Sequence, residues 1–202
     1  MPNSHAFAVF IPAALVLLAI PGPAVLYIIA TSVEGGRRHD LLSVAGVHIG
    51  SLVHVVAAVA GLSALIVSSA IAFSTVKYVG AAYLVYVGVR KWIERDEPVE
   101  AAARPPRSCR RVFTQGIVVN VLNPKTALFF LAFLPQVVDR DRTVWTQIAV
   151  LGLVWIALGL LSDGAYAVAG GTIGRFIRRW RKAVRYASGG IFVGLGAVAA
   201  TS

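Results

Sequence analysis

Lys125 follows Pro124 in the run Asn120-Val121-Leu122-Asn123-Pro124-Lys125-Thr126, inside an apolar stretch from residue 116 to about 136. At ~1.5 Å of helix per residue, that stretch is long enough to cross a bilayer. An ammonium at the centre of a span costs ~2.5–3.5 kcal/mol on insertion scales, so Lys125 should face a polar interior rather than lipid. There it could attract a substrate carboxylate, helped by the positive end of the half-helix that follows Pro124. The structural alternatives are an ion pair within the bundle or a side chain that snorkels to the surface. Asp163, in Leu161-Ser162-Asp163-Gly164, is the only carboxylate well inside an apolar segment. It could hold a substrate ammonium or carry a coupled proton. A fixed pair with Lys125, or a place near one membrane face, would serve neither purpose.

Other polar residues carry weaker signals. His48 and His54 are six apart, about 240° around a helix, so they share no face and make a poor metal pair. Either could relay protons, although a hydrogen bond to a neighbouring helix explains a membrane histidine as well. Asn120 and Asn123 are suited to satisfying the backbone that Pro124 frees, and one could also read a substrate. The single cysteine, Cys109, lies in a basic loop and forms no ligand or redox pattern. The sequence holds no HExxH, GxSxG or phosphate-binding loop, which argues against an enzyme and against ATP as the energy source. It implies no cofactor and no metal site.

The elements that must position these groups are broken helices. Pro21-Gly22-Pro23 interrupts the first apolar segment, as Asn123-Pro124 interrupts the fourth. Two interrupted hydrophobic segments in corresponding halves point to a transporter binding site near the bilayer midplane. The repeat rests on position and hydropathy, because residue identities differ between the halves. In hydrocarbon, non-helical backbone is tolerated only where protein buries it or a cavity solvates it.

Composition supplies the setting. The 202 residues are 57% hydrophobic and 14% charged, against about 25% charged in a soluble domain. Apolar segments fall at about 7–30, 44–65, 76–89, 116–136, 145–170 and 186–200. The N-terminus has no Lys or Arg ahead of its apolar run, so the first segment reads as a retained span rather than a cleaved signal. Net charge is +10, and fifteen of the nineteen Lys and Arg residues sit in the first, third and fifth connections. That alternation places those connections in the cytoplasm and both termini outside. It favours a membrane surface over nucleic acid as the partner of the positive charge. The fold class expected is an all-α integral membrane protein of six transmembrane helices, arranged as two three-helix halves in inverted repeat. One domain spans 1–202, with halves at about 1–93 and 113–202 and a cytoplasmic linker at about 94–112. Gly46 and Gly50 form a small-xxx-small pair suited to close helix packing, and Gly189, Gly190, Gly194 and Gly196 suggest the same for the last helix. Phe176, Ile177 and Trp180, interleaved with arginines, read as an interfacial stretch against anionic lipid. Tyr83 and Tyr86 are expected in the core or beside the cavity.

With these residues in hand, the chain resembles the LysE/RhtB family of bacterial amino-acid exporters. The resemblance rests on Pro21-Gly22-Pro23, Gly46-Val47-His48-Ile49-Gly50 with Val53-His54 and Gly61-Leu62, and Lys77-Tyr78-Val79-Gly80-Ala81-Ala82-Tyr83-Leu84. It continues through Asn120-Val121-Leu122-Asn123-Pro124-Lys125, Phe133-Leu134-Pro135-Gln136, Ser162-Asp163 with Tyr166, and Ser188-Gly189-Gly190 with Gly194-Leu195-Gly196. These cover nearly the whole chain in order. The resemblance implies six spans, the cytoplasmic membrane, and export of amino acids or their derivatives driven by the proton gradient. Many relatives carry an acidic residue where Ser51 stands, which leaves Asp163 as the main acidic candidate here. The expected substrate-binding residues are Lys125, Asn123, Pro124, Asp163, Pro21, Gly22 and Pro23, and the proton-coupling candidates are Asp163, His48 and His54. Amino acid, protons and membrane lipid are the expected partners, and a homodimer is compatible with the chain. The alternatives are efflux of another small solute or cation, for which one carboxylate and no thiolate are poor ligands, and a non-transporting membrane scaffold.

Overall fold

The computed structural model describes residues 1–62, 108–169 and 181–201, with positions 75, 78, 79, 82, 85, 86, 88–90, 92 and 93 of the third segment. Helix α1 spans Ser4–Ala19, opened by Asn3, whose Oδ1 accepts from the Ala6 N–H at 2.7 Å. Pro21 cannot continue it, and Ile20 turns extended. Helix α2 restarts at Pro23, where proline costs nothing because the first helical N–H has no intrahelical partner. The two pieces meet at 51°. The first break therefore lies where the residues placed it.

Helix α2 spans Pro23–Ala57 and widens into a π turn at Ala58–Leu62. The first connection, between the segments at about 7–30 and 44–65, is thus helical. Val25 and His48 nevertheless line one cavity, although an unbent helix would set them ~34 Å apart. The axis therefore reverses between them, and Ile28 packs in one cluster with Val44 and Val47. The second crossing, Arg37–Gly61, begins earlier than the residue-44 start read from hydropathy.

Helix α3, Cys109–Val121, is capped by Ser108. Cys109 thus lies in the first helical turn rather than in a loop. After the break at Leu122 and Asn123, helix α4 covers Pro124–Val137 at 41° to α3, with a π turn at Phe129–Phe133. Helix α5 is Val144–Val168 and α6 is Arg181–Thr201. Arg181, Lys182 and Arg185, assigned above to the fifth connection, open α6. Among the described residues two helices are long and apolar enough to cross a membrane, or four if each bent pair is one span. No strand occurs among them. Large apolar side chains on the outside, such as Leu153, Leu161 and Val168 of α5, suit a lipid surround.

The helices approach closely where glycine permits it. A Cβ on Gly46 would overlap the Phe113 carbonyl oxygen, and one on Gly50 would lie 2.8 Å from Asn120 Cβ. Gly116 answers from α3, with Ser43 O 3.0 Å from its own virtual Cβ. The small-xxx-small pair thus seats α2 on α3, as expected. Gly189 meets Gly88 and Trp92, and Gly194 has no described atom within 4 Å of its virtual Cβ. Tyr86 is exposed, in neither core nor cavity. Tyr83, Lys77 and the Phe176–Trp180 stretch lie outside the described residues. On one side of the breaks Phe10, Phe129, Phe133 and Trp155 form an aromatic core, with Phe129 and Trp155 stacked at 4.5 Å.

Candidate functional site

Each proline at a break removes an N–H and leaves the carbonyl four residues earlier in need of a donor. For Pro23 that carbonyl belongs to Ala19, and the Tyr166 hydroxyl of α5 donates to it at 2.7 Å. For Pro124 it belongs to Asn120, and His54 Nε2 of α2 lies 2.9 Å away. A carbonyl only accepts, so His54 carries its proton on Nε2. The neighbouring Ile20 carbonyl accepts from the Lys125 ammonium at 2.6 Å. Gly22 makes room for that reach: a Cβ there would sit 3.1 Å from Lys125 Cδ. Three donors from other helices therefore close the two breaks.

Asn120 is the hub of the second break. Its Nδ2 donates to Val47 O at 2.8 Å and to Ser51 Oγ at 2.9 Å. Its Oδ1 accepts from Thr126 Oγ1 at 3.2 Å and Asn123 Nδ2 at 3.3 Å. Asn123 caps α4, its Oδ1 accepting from the Lys125 N–H at 3.1 Å. Gly22, at the corresponding start of α2, provides no side-chain cap. The N–H groups that open α2 are left unclaimed by a capping side chain, whereas the start of α4 is capped.

Across the cavity network from Asn120, His48 Nε2 and Asp163 Oδ2 approach to 3.1 Å, both side chains nearly fully buried. The approach is off hydrogen-bond alignment, and neither His48 ring nitrogen has a hydrogen-bond partner. Gly159, one turn before Asp163, carries the ring: a Cβ there would stand 2.5 Å from His48 Cε1. Gly152 does the same for Val55 of α2. The face Gly152, Trp155, Gly159, Asp163 of α5 is thereby fitted to α2.

These groups share one small cavity. Lys125, Asp163, His48, Ser51, Asn120, Asn123 and Thr126 line it with Leu18, Ala24, Val25, Val47 and Trp155. They are seven of the ten buried polar or charged residues described, so the polar interior of the bundle is concentrated where the breaks meet. The cavity measures about 20 Å³, room for roughly one water. Of the expected site residues, Lys125, Asn123, Asp163 and His48 line it. Pro21, Gly22, Pro23 and Pro124 shape the breaks without lining the cavity, and His54 lies outside it. Gly159, Thr126, Trp155 and the Tyr166 donor were not singled out from sequence as parts of the site. The small residues one and three turns around Asp163, and the two carbonyls that the prolines orphan, were the signals that pointed to them.

A family model described as LysE type translocator matches residues 15–202, a range that holds both breaks and every cavity residue. An uncharacterized membrane protein of Vibrio cholerae serotype O1 is 30% identical over 200 residues, 98% of each chain. The homoserine/homoserine lactone efflux protein of Salmonella typhi is 30% identical over 97% of this chain and 96% of its own. The leucine efflux protein of Klebsiella pneumoniae subsp. pneumoniae is 26% identical over 96% and 94%. No solved structure matches the chain. By the extent of the family match and by these full-length relatives, the chain belongs to the LysE-type translocators.

Proposed function

We propose that the chain is a secondary-active exporter of amino acids or amino-acid derivatives across the bacterial cytoplasmic membrane, coupled to protons. One observation carries the proposal: a buried ammonium and a buried carboxylate line the same small cavity at the meeting of two broken helices. That charge pattern complements a zwitterion. The substrate carboxylate would be received by Lys125 together with the uncapped N–H groups at the start of α2, because Asn123 already occupies the start of α4. Asp163 would hold the ammonium or, with His48, a proton. A cavity of about 20 Å³ cannot contain an amino acid, so loading requires the bundle to open, and the 51° and 41° breaks are its natural hinges.

Six spans in two inverted halves, joined by a linker at about 94–112, complete this reading. The donors that close the breaks support it. Tyr166, in the second helix of the latter half, serves the break of the former, while His54, in the second helix of the former half, serves the break of the latter. Arg38 and Arg110, from the first and third connections, border one depression. This suits basic connections gathered on a cytoplasmic face, with the termini outside.

The test is efflux from cells lacking their own exporters, preloaded with a labelled amino-acid mixture. Wild type should release one amino-acid class selectively, while Lys125→Ala and Asp163→Asn insert normally and do not. Normal efflux from an inserted Lys125→Ala variant would remove Lys125 from the site. No selective efflux from inserted wild type would turn the reading toward another solute.

A further inference from the structure

At the end of the bundle away from the aromatic core, Arg38 and Leu41 of α2 face Cys109, Arg110 and Phe113 of α3 across a groove of about 420 Å³, with Leu42 in its floor. Both arginines are exposed, and neither guanidinium forms an ion pair or hydrogen bond among the described residues. Two unpaired guanidiniums bordering one groove repel each other, and an anion between them relieves that repulsion. The lining between them is apolar, with Leu41 73% exposed. A soluble phosphate would use the arginines and leave Leu41, Leu42 and Phe113 wet. A phospholipid uses both, since its phosphate meets the guanidiniums and its glycerol and upper acyl carbons cover the leucines.

We infer that this groove is a binding site for one anionic phospholipid, seated between α2 and α3 at the membrane surface. The site is distinct from the substrate cavity and shares no lining residue with it. A lipid there would bridge the reversal of α2 to the start of α3, the two elements that carry His48 and Asn120.

Native mass spectrometry of the purified full chain, titrated with phosphatidylglycerol or phosphatidylcholine, tests the site. Wild type should retain phosphatidylglycerol in preference to phosphatidylcholine. R38Q/R110Q should weaken that retention about thirtyfold, the expected effect of two arginines at a membrane surface. R140Q/R142Q removes the same charge from the connection between α4 and α5 and should leave retention unchanged. Leu41→Gln keeps both arginines and should weaken lipid binding while leaving competition by inorganic phosphate unaltered. Equal retention of the two lipids, equal loss in both double variants, or full displacement by inorganic phosphate would overturn the inference.

Discussion

Replacing Gly159 with alanine isolates the contact between α5 and the His48–Asp163 pair. The new methyl would lie 2.5 Å from His48 Cε1. An ordinary carbon contact needs about 3.5 Å, so the ring must move by roughly 1 Å. Retreat along the Asp163 direction lengthens the 3.1 Å ion-pair contact to about 4 Å. For the ionised pair, an effective dielectric of about 20 makes that loss ~1.3 kcal/mol. Gly164→Ala is the matched control. It lies on the same helix, its Cβ meets nothing within 4 Å, and it should gain up to about 1 kcal/mol in helix propensity. Proteoliposomes loaded with the exported amino acid, with uptake or efflux driven by an imposed pH gradient, measure the effect. Gly159→Ala should slow gradient-driven transport by up to about tenfold, whereas Gly164→Ala should match wild type. A Gly159→Ala protein that transports at the wild-type rate would refute the proposal that this pair carries the coupled proton.

Asp163→Asn should abolish acceleration by a pH gradient, and exchange of labelled for unlabelled substrate without a gradient separates lost coupling from lost binding. Tyr166→Phe and His54→Phe each remove one side-chain donor from a carbonyl at a break. Each should lower thermal stability in detergent by about 1–2 kcal/mol, and the pair should be additive because they serve different breaks. A His54→Phe protein as stable as wild type would show that the Asn123 N–H, 3.0 Å from the Asn120 carbonyl, satisfies it alone. Gly46→Ala places a methyl against the Phe113 backbone, which cannot yield as a side chain would. It should destabilise the α2–α3 contact by more than Gly61→Ala, whose Cβ meets no described atom within 4 Å, and a melting series of the two variants decides this.

The broken helices were legible in the sequence because proline acts locally: it removes its own N–H wherever it stands in a helix. Pro23 and Pro124 therefore fixed both interruptions before any packing was known. The expense of a buried charge made Lys125 and Asp163 conspicuous for the same reason, since it depends on the apolar run around each residue. Gly46 and Gly50 carried a packing signal through their spacing alone. Helix limits were less accurate. Arg37–Gly61 and Cys109–Val121 extend into charged stretches that hydropathy assigned to connections, because hydropathy marks where lipid begins and not where backbone hydrogen bonding stops.

Only the tertiary structure decided which residue serves which. Lys125 bonds to the Ile20 carbonyl, 105 positions away in sequence. His48 pairs with Asp163, and His54, its near neighbour in the chain, is turned outside the cavity to the carbonyl that Pro124 orphans. No local rule separates those two histidines. Their roles follow from the crossing of α2 with α3 and α5, which sends side chains 240° apart toward different partners. The sequence by itself determined that the chain has two broken helices and charges needing a polar interior. The packing determined that both breaks and both charges open onto one small cavity, because that requires helices distant in sequence to meet at a common depth.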